Sequence, residues 1–288
     1  MSMRLSGLNG IITGASQGLG KELARRFLSE GADIAICARN SADLNEVKME
    51  LQTEFPQRHC LARPCDVSNE QQVREWVDAT VDAYGKIDAL VLNAGIYGPM
   101  GPTESVALDE WWRAMEINIL GALLPCRAVI PLFKKQGHGK IIMLSGGGAT
   151  NPLPNISAYA ASKAALVRLA ETLAGELQPY GIEVNCIAPG AMRTRMVDQV
   201  LSAGPDKVGE AFFEKNRKWA EEGATPLHVP ADLAVYLASS KSNGITGKLI
   251  SAQWDPWSTL HEHLEELKSS DIYCLRRIVP TDRDQNWA

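Results

Sequence analysis

The chain has 288 residues, a formal net charge of −5 and a composition that is 45% hydrophobic and 22% charged. Its length suits one large domain or two smaller ones, and its composition excludes whole-chain disorder and a collagen-like fibre. No basic stripe indicates nucleic-acid binding, the apolar runs are shorter than the ~20 residues that span a bilayer, and the amino terminus does not resemble a secretory signal. We therefore expect a cytoplasmic protein with a sizeable core and neither a nucleic-acid nor a membrane partner.

Six cysteines are scattered along the chain and include no C-x-x-C pair. Cys60 and Cys65 are the only close pair, and no second pair follows that would complete a zinc site. The pattern predicts reduced thiols, mostly buried as small apolar groups, and no metal.

Short apolar runs alternate with amphipathic stretches of helical length. The predicted strands are Leu8–Thr13, Asp33–Cys37, His59–Ala62, Ala89–Leu92, Lys140–Leu144, Ile182–Ile187 and Lys248–Ser251. The predicted helices are Lys21–Ser29, Ser41–Glu54, Ser68–Tyr84 and Ser157–Gln178, the last being the longest. Ser41 and Ser68 are the predicted N-caps of their helices. This alternation indicates βαβ units, so we expect an α/β fold: a doubly wound, Rossmann-like parallel sheet in three layers.

A glycine-rich turn follows the first predicted strand and precedes the first predicted helix. It reads Thr13-Gly14-Ala15-Ser16-Gln17-Gly18-Leu19-Gly20. Glycine lets the backbone approach a ligand closely, and a helix amino terminus attracts a pyrophosphate through its free N–H groups. An ordinary tight turn is the alternative, but the strand before and the helix after it favour a dinucleotide site.

This turn and four later motifs, in the same order, resemble the short-chain dehydrogenase/reductase family. The later motifs are Cys65-Asp66-Val67, Asn93-Ala94-Gly95, Tyr159-x-x-x-Lys163, and Pro189-Gly190 followed by Thr194. The resemblance covers about residues 5 to 252 and implies that Asp66 holds the adenine amino group and that Pro189-Gly190, together with Thr194, contacts the nicotinamide carboxamide. The cofactor-binding residues it implies are Gly14, Ser16, Gln17, Gly18, Leu19, Gly20, Asp66, Val67, Asn93, Ala94, Gly95, Tyr159, Lys163, Pro189, Gly190 and Thr194.

The end of the second predicted strand bears on the choice of dinucleotide. A carboxylate there usually holds the ribose of NAD, whereas an arginine accommodates the extra phosphate of NADP. This chain has Ala38 followed by Arg39, with no acidic residue close behind, and a guanidinium suits a phosphate. We therefore expect NADP(H) to be favoured over NAD(H). The alternative is that Arg39 stacks on adenine or is only solvated.

Tyr159 and Lys163 share one face of a predicted helix because they are four residues apart. A tyrosine has a pKa of about 10, and a nearby ammonium should lower it, so that Tyr159 could act as a general acid or base. The resemblance implies that Lys163 also holds the nicotinamide ribose and that Asn118 takes part in a proton relay. The alternatives are a chance pair on a helix and an asparagine that bonds its own backbone.

One position departs from the family. Counting from the fifth strand and from Tyr159, Gly146 stands where the family has a serine that polarises the substrate oxygen, and Ser145 is one residue early. Three possibilities remain: Ser145 reaches the site, backbone N–H groups of Gly146 to Gly148 polarise the oxygen, or the site is weak or inactive. We favour the first two, so the predicted catalytic residues are Tyr159, Lys163, Asn118 and Ser145.

The domain organisation follows from the extent of the resemblance. Residues 1–252 would form a single dinucleotide-binding catalytic domain, with a substrate lid at about residues 191–230. Residues 253–288 extend beyond the usual length of the family. This segment contains Trp254, Trp257, Tyr273 and Trp287, whereas a disordered tail would be poor in aromatic residues. We expect it to close one side of the substrate pocket, either in its own subunit or in a neighbour.

The resulting hypothesis is an NADP(H)-dependent oxidoreductase that interconverts a small secondary alcohol and a ketone. The family generally assembles through two helices, so we expect a homodimer or homotetramer. One alternative is a non-catalytic dinucleotide-binding sensor or scaffold, which the glycine at position 146 would suit. Another is an epimerase or dehydratase that reuses its bound cofactor.

Overall fold

The structure of the chain, a computed structural model, describes residues 3–287; Met1, Ser2 and Ala288, which the predicted domain bounds include, lie outside the described residues. Seven strands form one parallel sheet in the order β3-β2-β1-β4-β5-β6-β7. The strands are β1 Asn9–Thr13, β2 Asp33–Ala38, β3 Cys60–Pro64, β4 Ala89–Leu92, β5 Gly139–Leu144, β6 Ile182–Ala188 and β7 Leu249–Ser251. The expected doubly wound, Rossmann-like fold is confirmed.

Helices cover both faces of the sheet. They are α1 Gly18–Ser29, α2 Ser41–Glu54, α3 Glu70–Tyr84, α4 Leu108–Met115, α5 Gly121–Gln136, α6 Ser157–Leu177, α7 Arg195–Ala203, α8 Pro205–Val208, α9 Glu210–Glu222, α10 His228–Ala238 and α11 Leu264–Ser269. Successive strand residues point to opposite faces. Accordingly Ile12 packs with α1, α2 and α10, whereas Ile11 packs with α3, α5 and α6. The inner strands β1, β2, β4 and β5 are largely buried on both faces, which explains their mostly apolar sequences, whereas the edge strands β3 and β7 are only partly buried.

Two predicted caps are wrong by one residue. Asn40, not Ser41, caps α2, because its side-chain oxygen accepts hydrogen bonds from the backbone N–H groups of residues 42 and 43. Asn69, not Ser68, caps α3, because it accepts from the backbone of Gln72. Asparagine is as good an N-cap as serine, so the sequence could not separate such neighbours.

The longest helical segment is Leu108–Gln136, not the predicted Ser157–Gln178. A π-helical turn, Glu116–Leu120, joins α4 to α5 within it. By its length and composition this segment could cross a membrane, but half of its most apolar stretch is buried inside the protein. Such burial is typical of a helix that packs on one face of the sheet in the core of the protein.

The carboxy-terminal segment is ordered against the sheet and its helices. A 3₁₀ helix, Trp257–His263, precedes α11, and Leu260 and Leu267 join the core. The Trp257 ring packs against Tyr236 of α10, with ring centroids 5.8 Å apart. Beyond α11, the carbonyl of Tyr273 accepts a hydrogen bond from Leu249, so the segment covers the edge strand β7. Of its aromatic side chains, Trp257 and Tyr273 are partly buried, whereas Trp254 and Trp287 are 77% and 81% exposed.

Candidate active site

A cleft of about 700 Å³ lies at the carboxyl ends of the strands, where β1 and β4 lead in opposite directions. This is the switch point at which open α/β sheets bind ligands. The structure brings most of the predicted site residues together there: Gly14, Ser16, Gln17, Gly18, Leu19, Gly20, Arg39, Asp66, Val67, Asn93, Ala94, Gly95, Ser145, Tyr159, Lys163, Pro189 and Thr194 line it. Asn118 and Gly190 are not among the residues that line the cleft.

Close packing requires glycine in the turn after β1. Gly14 has a φ of +66°, and a Cβ atom there would lie 2.8 Å from the Ala94 backbone. A Cβ atom on Gly20 would lie 2.6 Å from the Asn93 side-chain nitrogen. Helix α1 begins at Gly18, three residues earlier than predicted, and no side chain caps it. Its first N–H groups are therefore available to an anion at the cleft.

Asn93 holds this turn against the end of β4. Its side-chain nitrogen donates hydrogen bonds to the carbonyls of Thr13 and Gly14, at 3.1 and 3.0 Å. The Thr13 hydroxyl in turn accepts from the backbone N–H groups of Asn93 and Ala94. The Asn-Ala-Gly motif thus fixes the position of the glycine-rich turn from the neighbouring strand.

The far end of the cleft combines an arginine with an acid. Arg39 and Asn40 line it after β2, as does Asp43 from the first turn of α2. The expectation that no acidic residue lies near Arg39 is therefore wrong, because the helical turn brings Asp43 to the same wall. Within the described chain, no carboxylate forms an ion pair with Arg39.

Asp66 is held in place from two directions. Its carboxylate accepts from the backbone N–H and hydroxyl of Ser68, and from Arg113 of α4 at 2.8 Å. Burial by itself raises the pKa of Asp66, but these hydrogen bonds lower it below the ordinary value. A charged acceptor is therefore positioned in the cleft wall, which suits the adenine amino group that the family resemblance assigns to it.

Tyr159 and Lys163 lie on the face of α6 that borders the cleft, and both are more than nine-tenths buried. The Lys163 ammonium donates to the Leu144 carbonyl at 2.7 Å and lies 5.6 Å from the centre of the Tyr159 ring. Burial lowers the pKa of Lys163 to about 8. Burial, with a smaller effect of Tyr97, raises the pKa of Tyr159. Burial therefore sets the direction of the Tyr159 pKa, and the expected lowering by Lys163 is wrong for the chain by itself.

Asn118 lies in the π-helical turn between α4 and α5. Its side-chain oxygen accepts from the Ile96 backbone N–H at 2.9 Å, and its nitrogen donates to the Ile96 carbonyl and to the Ser162 hydroxyl. Ser162 in turn donates to the carbonyl of Tyr159. Asn118 therefore bonds to two other segments and not to its own helix, and it connects the chain after Gly95 to the turn that carries Tyr159. π-Helical turns often occur at functional positions.

The two residues after β5 differ in what they offer the cleft. Ser145 lines the cleft, and its hydroxyl is buried and has no hydrogen-bond partner within the described residues. A buried hydroxyl without a partner is uncommon and indicates a position that a ligand would complete. A Cβ atom on Gly146 would overlap the hydroxyl of Tyr159 and lie 3.1 Å from its Cζ atom.

Several residues at the cleft were not predicted. Tyr97 packs edge-to-face on Tyr159, with ring centroids 4.7 Å apart, and burial raises its pKa to about 12. Its place two residues after Gly95 was the only signal in the sequence. From the lid, Arg195 and Gln199 line the cleft. The one-turn spacing of 195 and 199 could have indicated a common face.

The remainder of the predicted lid is helical. Helices α7, α8 and α9 occupy residues 195–222, and a second cavity of about 400 Å³ lies between residues 203–207 and residues 99–110. On α9, Arg217 bonds Glu214 and Glu221 of its own helix, so this basic position belongs to the helix surface.

The carboxy-terminal extension contacts α6, α10 and β7. Among the described residues, Gln199 is the last in the chain that lines the cleft, so no residue of the extension is part of its lining. A part for the extension in a substrate pocket stays a prediction.

Across residues 3–287, no three His, Cys, Asp or Glu side chains come close enough together to hold a metal ion.

A parallel sheet with a glycine-rich turn at its switch point, and a Tyr–Lys pair bordering the same cleft, defines a class of Rossmann-like oxidoreductases. Comparison with known proteins narrows the class. The family model described as short chain dehydrogenase matches residues 9–204, and the chain belongs to this family. It is accordingly an enzyme of the dehydrogenase/reductase type that acts on CH–OH groups.

Individual relatives agree with this assignment. Over 210 residues the chain is 36% identical to levodione reductase from Leifsonia aquatica, which covers 72% of this chain and 79% of that protein. A crystal structure of levodione reductase has a TM-score of 0.79 at 30% identity and covers 86% of this chain and 96% of its own. A crystal structure of NAD⁺-bound xylitol dehydrogenase has a TM-score of 0.77 at 28% identity and covers 86% and 98%.

The family binds NAD(H) or NADP(H), and the residues present fit such a dinucleotide. The glycine-rich turn leaves no room for a Cβ atom, α1 presents an uncapped amino terminus, and Asp66 offers a fixed acceptor. Ser145 also lines the cleft, and in the part of the chain that the structure describes its buried hydroxyl lacks a partner. Each feature suits a different part of an elongated, polar ligand.

Proposed function

We propose that the protein is an NADP(H)-dependent oxidoreductase that interconverts a small secondary alcohol and a ketone, with Tyr159 as general acid and base. The observation that carries the proposal is that Tyr159, Ser145 and Lys163 line the same cleft as the glycine-rich turn. Residues that bear a proton donor, a hydrogen-bond donor and a positive charge thus line one space.

The dinucleotide, when bound, supplies or accepts the hydride. In the reducing direction the Tyr159 hydroxyl gives its proton to the oxygen of the substrate carbonyl, and in the oxidising direction it takes the proton back. Lys163, while protonated, stabilises the tyrosinate that remains, because opposite charges in a buried site attract strongly. Asn118 and Ser162 hold the backbone around Tyr159. Following the family resemblance, Asn118 also belongs to the relay that returns the proton.

Ser145 is our candidate for the group that polarises the substrate oxygen. Its hydroxyl is the buried, unpartnered donor in the cleft lining, whereas Gly146 contributes only backbone. The N–H groups of Gly146 to Gly148 are the competing donors. The Ser145→Ala variant decides between them: we expect kcat/KM to fall about 100-fold, the effect of removing one oxyanion donor. Wild-type turnover would remove Ser145 from the mechanism and leave the backbone.

NADP(H) is the cofactor we propose to be favoured, on the basis of the unpaired guanidinium of Arg39 at the cleft wall. Asp43 on the same wall opposes a phosphate, so the preference should be moderate. The similar xylitol dehydrogenase was crystallised with NAD⁺. Arg39→Ala should weaken NADPH binding and leave NADH binding nearly unchanged. An unchanged Kd for NADPH would contradict this part of the proposal.

We also propose a soluble, cytoplasmic homo-oligomer. Leu108 and Trp112 of α4 and Leu120 of the π-helical turn are exposed apolar side chains on one helical segment. Burying them against a second copy would remove apolar surface from water, in keeping with the oligomers typical of the family. Sedimentation velocity of the wild type and of Trp112→Glu tests this, and a wild-type monomer would contradict it.

Two other functions share the same cofactor cleft. A non-catalytic sensor or scaffold, suggested by Gly146, would bind NADPH tightly but oxidise it with no carbonyl substrate. An epimerase or dehydratase would convert its substrate without net consumption of NADPH. Absorbance at the reduced-nicotinamide band, combined with product analysis, separates both from the proposed reductase.

A further inference from the structure

The first helix of the lid faces the glycine-rich turn. Arg195, Met196 and Gln199 of α7 line the cleft, and the methyl group of Thr194 lies 3.7 Å from where a Cβ atom on Gly18 would be. Helix α7 therefore starts directly across from the amino terminus of α1. Whatever lies against the backbone of the turn is also within reach of the first side chains of α7.

Arg195 is the unpaired cation on this side. Its side chain is exposed, and within the described residues it has neither a hydrogen-bond partner nor a carboxylate partner. The other lid arginines are occupied: Arg193 donates to the carbonyl of Ala220, and Arg217 bonds two glutamates. A long side chain that bears a charge and lines a cleft without a partner is available to an anionic ligand.

We propose that Arg195 binds the pyrophosphate of the dinucleotide and thereby fastens α7 over the bound cofactor. This rests on the proposed function, from which it takes the identity of the ligand. The pyrophosphate is the anionic group that belongs beside the glycine-rich turn, and Thr194 places Arg195 across from that turn. The turn donates through uncharged N–H groups, so a guanidinium on the opposite side adds a charge-assisted, bidentate contact.

Arg195 and Arg39 should differ in which ligands they bind. Arg39 should matter only for ligands with a 2′-phosphate, whereas Arg195 should matter for every ligand with a pyrophosphate. Closure of α7 on the pyrophosphate would also order the lid before the substrate arrives. Cofactor binding, and not substrate binding, should therefore protect residues 195–222 from amide hydrogen exchange.

The test is calorimetric titration of wild type, Arg195→Gln, Arg195→Lys and the matched control Arg193→Gln with four ligands: NADPH, NADH, ADP-ribose and 2′-AMP. For Arg195→Gln we expect Kd to rise about tenfold for the three ligands with a pyrophosphate, which is the effect of one charge-assisted hydrogen bond at a partly exposed site. Kd for 2′-AMP should stay within about twofold of wild type. Arg195→Lys should recover part of the loss, and Arg193→Gln should bind like wild type.

Hydrogen exchange supplies the second readout. ADP-ribose should protect residues 195–222 in wild type and in Arg193→Gln but not in Arg195→Gln. An unchanged Kd for ADP-ribose in Arg195→Gln would overturn the proposal. If turnover nevertheless fell, Arg195 would act on the substrate and not on the pyrophosphate. If wild type bound neither dinucleotide, both this proposal and the proposed function would be overturned.

Discussion

Replacing Gly146 by serine would be expected to improve catalysis, because the count from β5 and from Tyr159 puts the polarising serine of the family at this position. The structure leads to the opposite expectation. A Cβ atom at Gly146 would overlap the Tyr159 hydroxyl and lie 3.1 Å from Cζ and 3.4 Å from Cε1. The backbone there is extended, with a φ of −174°, so the obstacle is the tyrosine and not backbone strain.

The size of the effect follows from how far Tyr159 must move. Carbon atoms pack best at about 3.5–4.0 Å, so the ring must retreat until the overlapping hydroxyl has moved by about 1 Å. A shift of about 1 Å in a catalytic group can lower the rate about 100-fold. Overpacking a buried site reduces the free energy of unfolding by about 1–3 kcal/mol. For Gly146→Ser we expect both losses together.

The assay measures kcat/KM for NADPH oxidation with the best ketone of a substrate panel, and stability by denaturant unfolding. Gly147→Ser is the matched control in the same glycine run, because a Cβ atom there meets nothing within 4 Å. It should retain wild-type activity and stability. The reasoning would be refuted by a Gly146→Ser enzyme as active and as stable as wild type, since the serine would then fit beside Tyr159.

Three further expectations concern stability and cofactor choice. Lys163→Met should abolish catalysis yet raise the free energy of unfolding at pH 7 by about 1 kcal/mol. In the wild type, burying the ammonium, whose pKa falls from 10.5 to about 8, costs about 3 kcal/mol. In the variant, the Leu144 carbonyl loses its hydrogen-bond partner, which costs about 2 kcal/mol. Between pH 8 and 10.5 the folded wild type binds fewer protons than the unfolded chain, so its stability rises with pH and the stability advantage of the variant should shrink. A variant that is less stable than wild type at pH 7 would contradict the expected gain. Asp43→Asn should lower Kd for NADPH about threefold or more and leave Kd for NADH within about twofold, and equal changes in both would show that Asp43 does not face the 2′-phosphate. Trp257→Ala should reduce the free energy of unfolding by about 2–3 kcal/mol, whereas Trp254→Ala, at a side chain 77% exposed, should change it by less than about 0.5; equal effects would mean that the extension does not dock as described.

The architecture could be predicted because its strands are buried on both faces. The run Ala89–Leu92 is apolar throughout, and βαβ connectivity leaves few topologies for such strands. Helix ends were less accessible, since Asn40 and Ser41 are both good caps and only the backbone decides between them. The π-helical turn around Asn118 was not predicted either, because no residue preference separates it from an ordinary helix.

The sequence predicted those site residues that belong to motifs and missed those that reach the cleft only through tertiary packing. The placement of Tyr159 and Lys163 follows from their spacing, but the direction of the tyrosine pKa depends on burial, which a sequence does not record. Asp43 lies four residues after Arg39 and reaches the same wall only because α2 starts there. Arg195 has no motif, and its position is set by the packing of the lid.

The central claim is that Tyr159 transfers the proton in an NADPH-dependent carbonyl reduction. It is tested most directly by the absorbance of NADPH over a panel of ketones, with wild type and Tyr159→Phe measured side by side. We expect wild type to oxidise NADPH in preference to NADH, and the variant to bind NADPH normally with a rate reduced by a factor of about 10² to 10⁴. Tight NADPH binding without turnover in wild type, or equal turnover in Tyr159→Phe, would contradict the account.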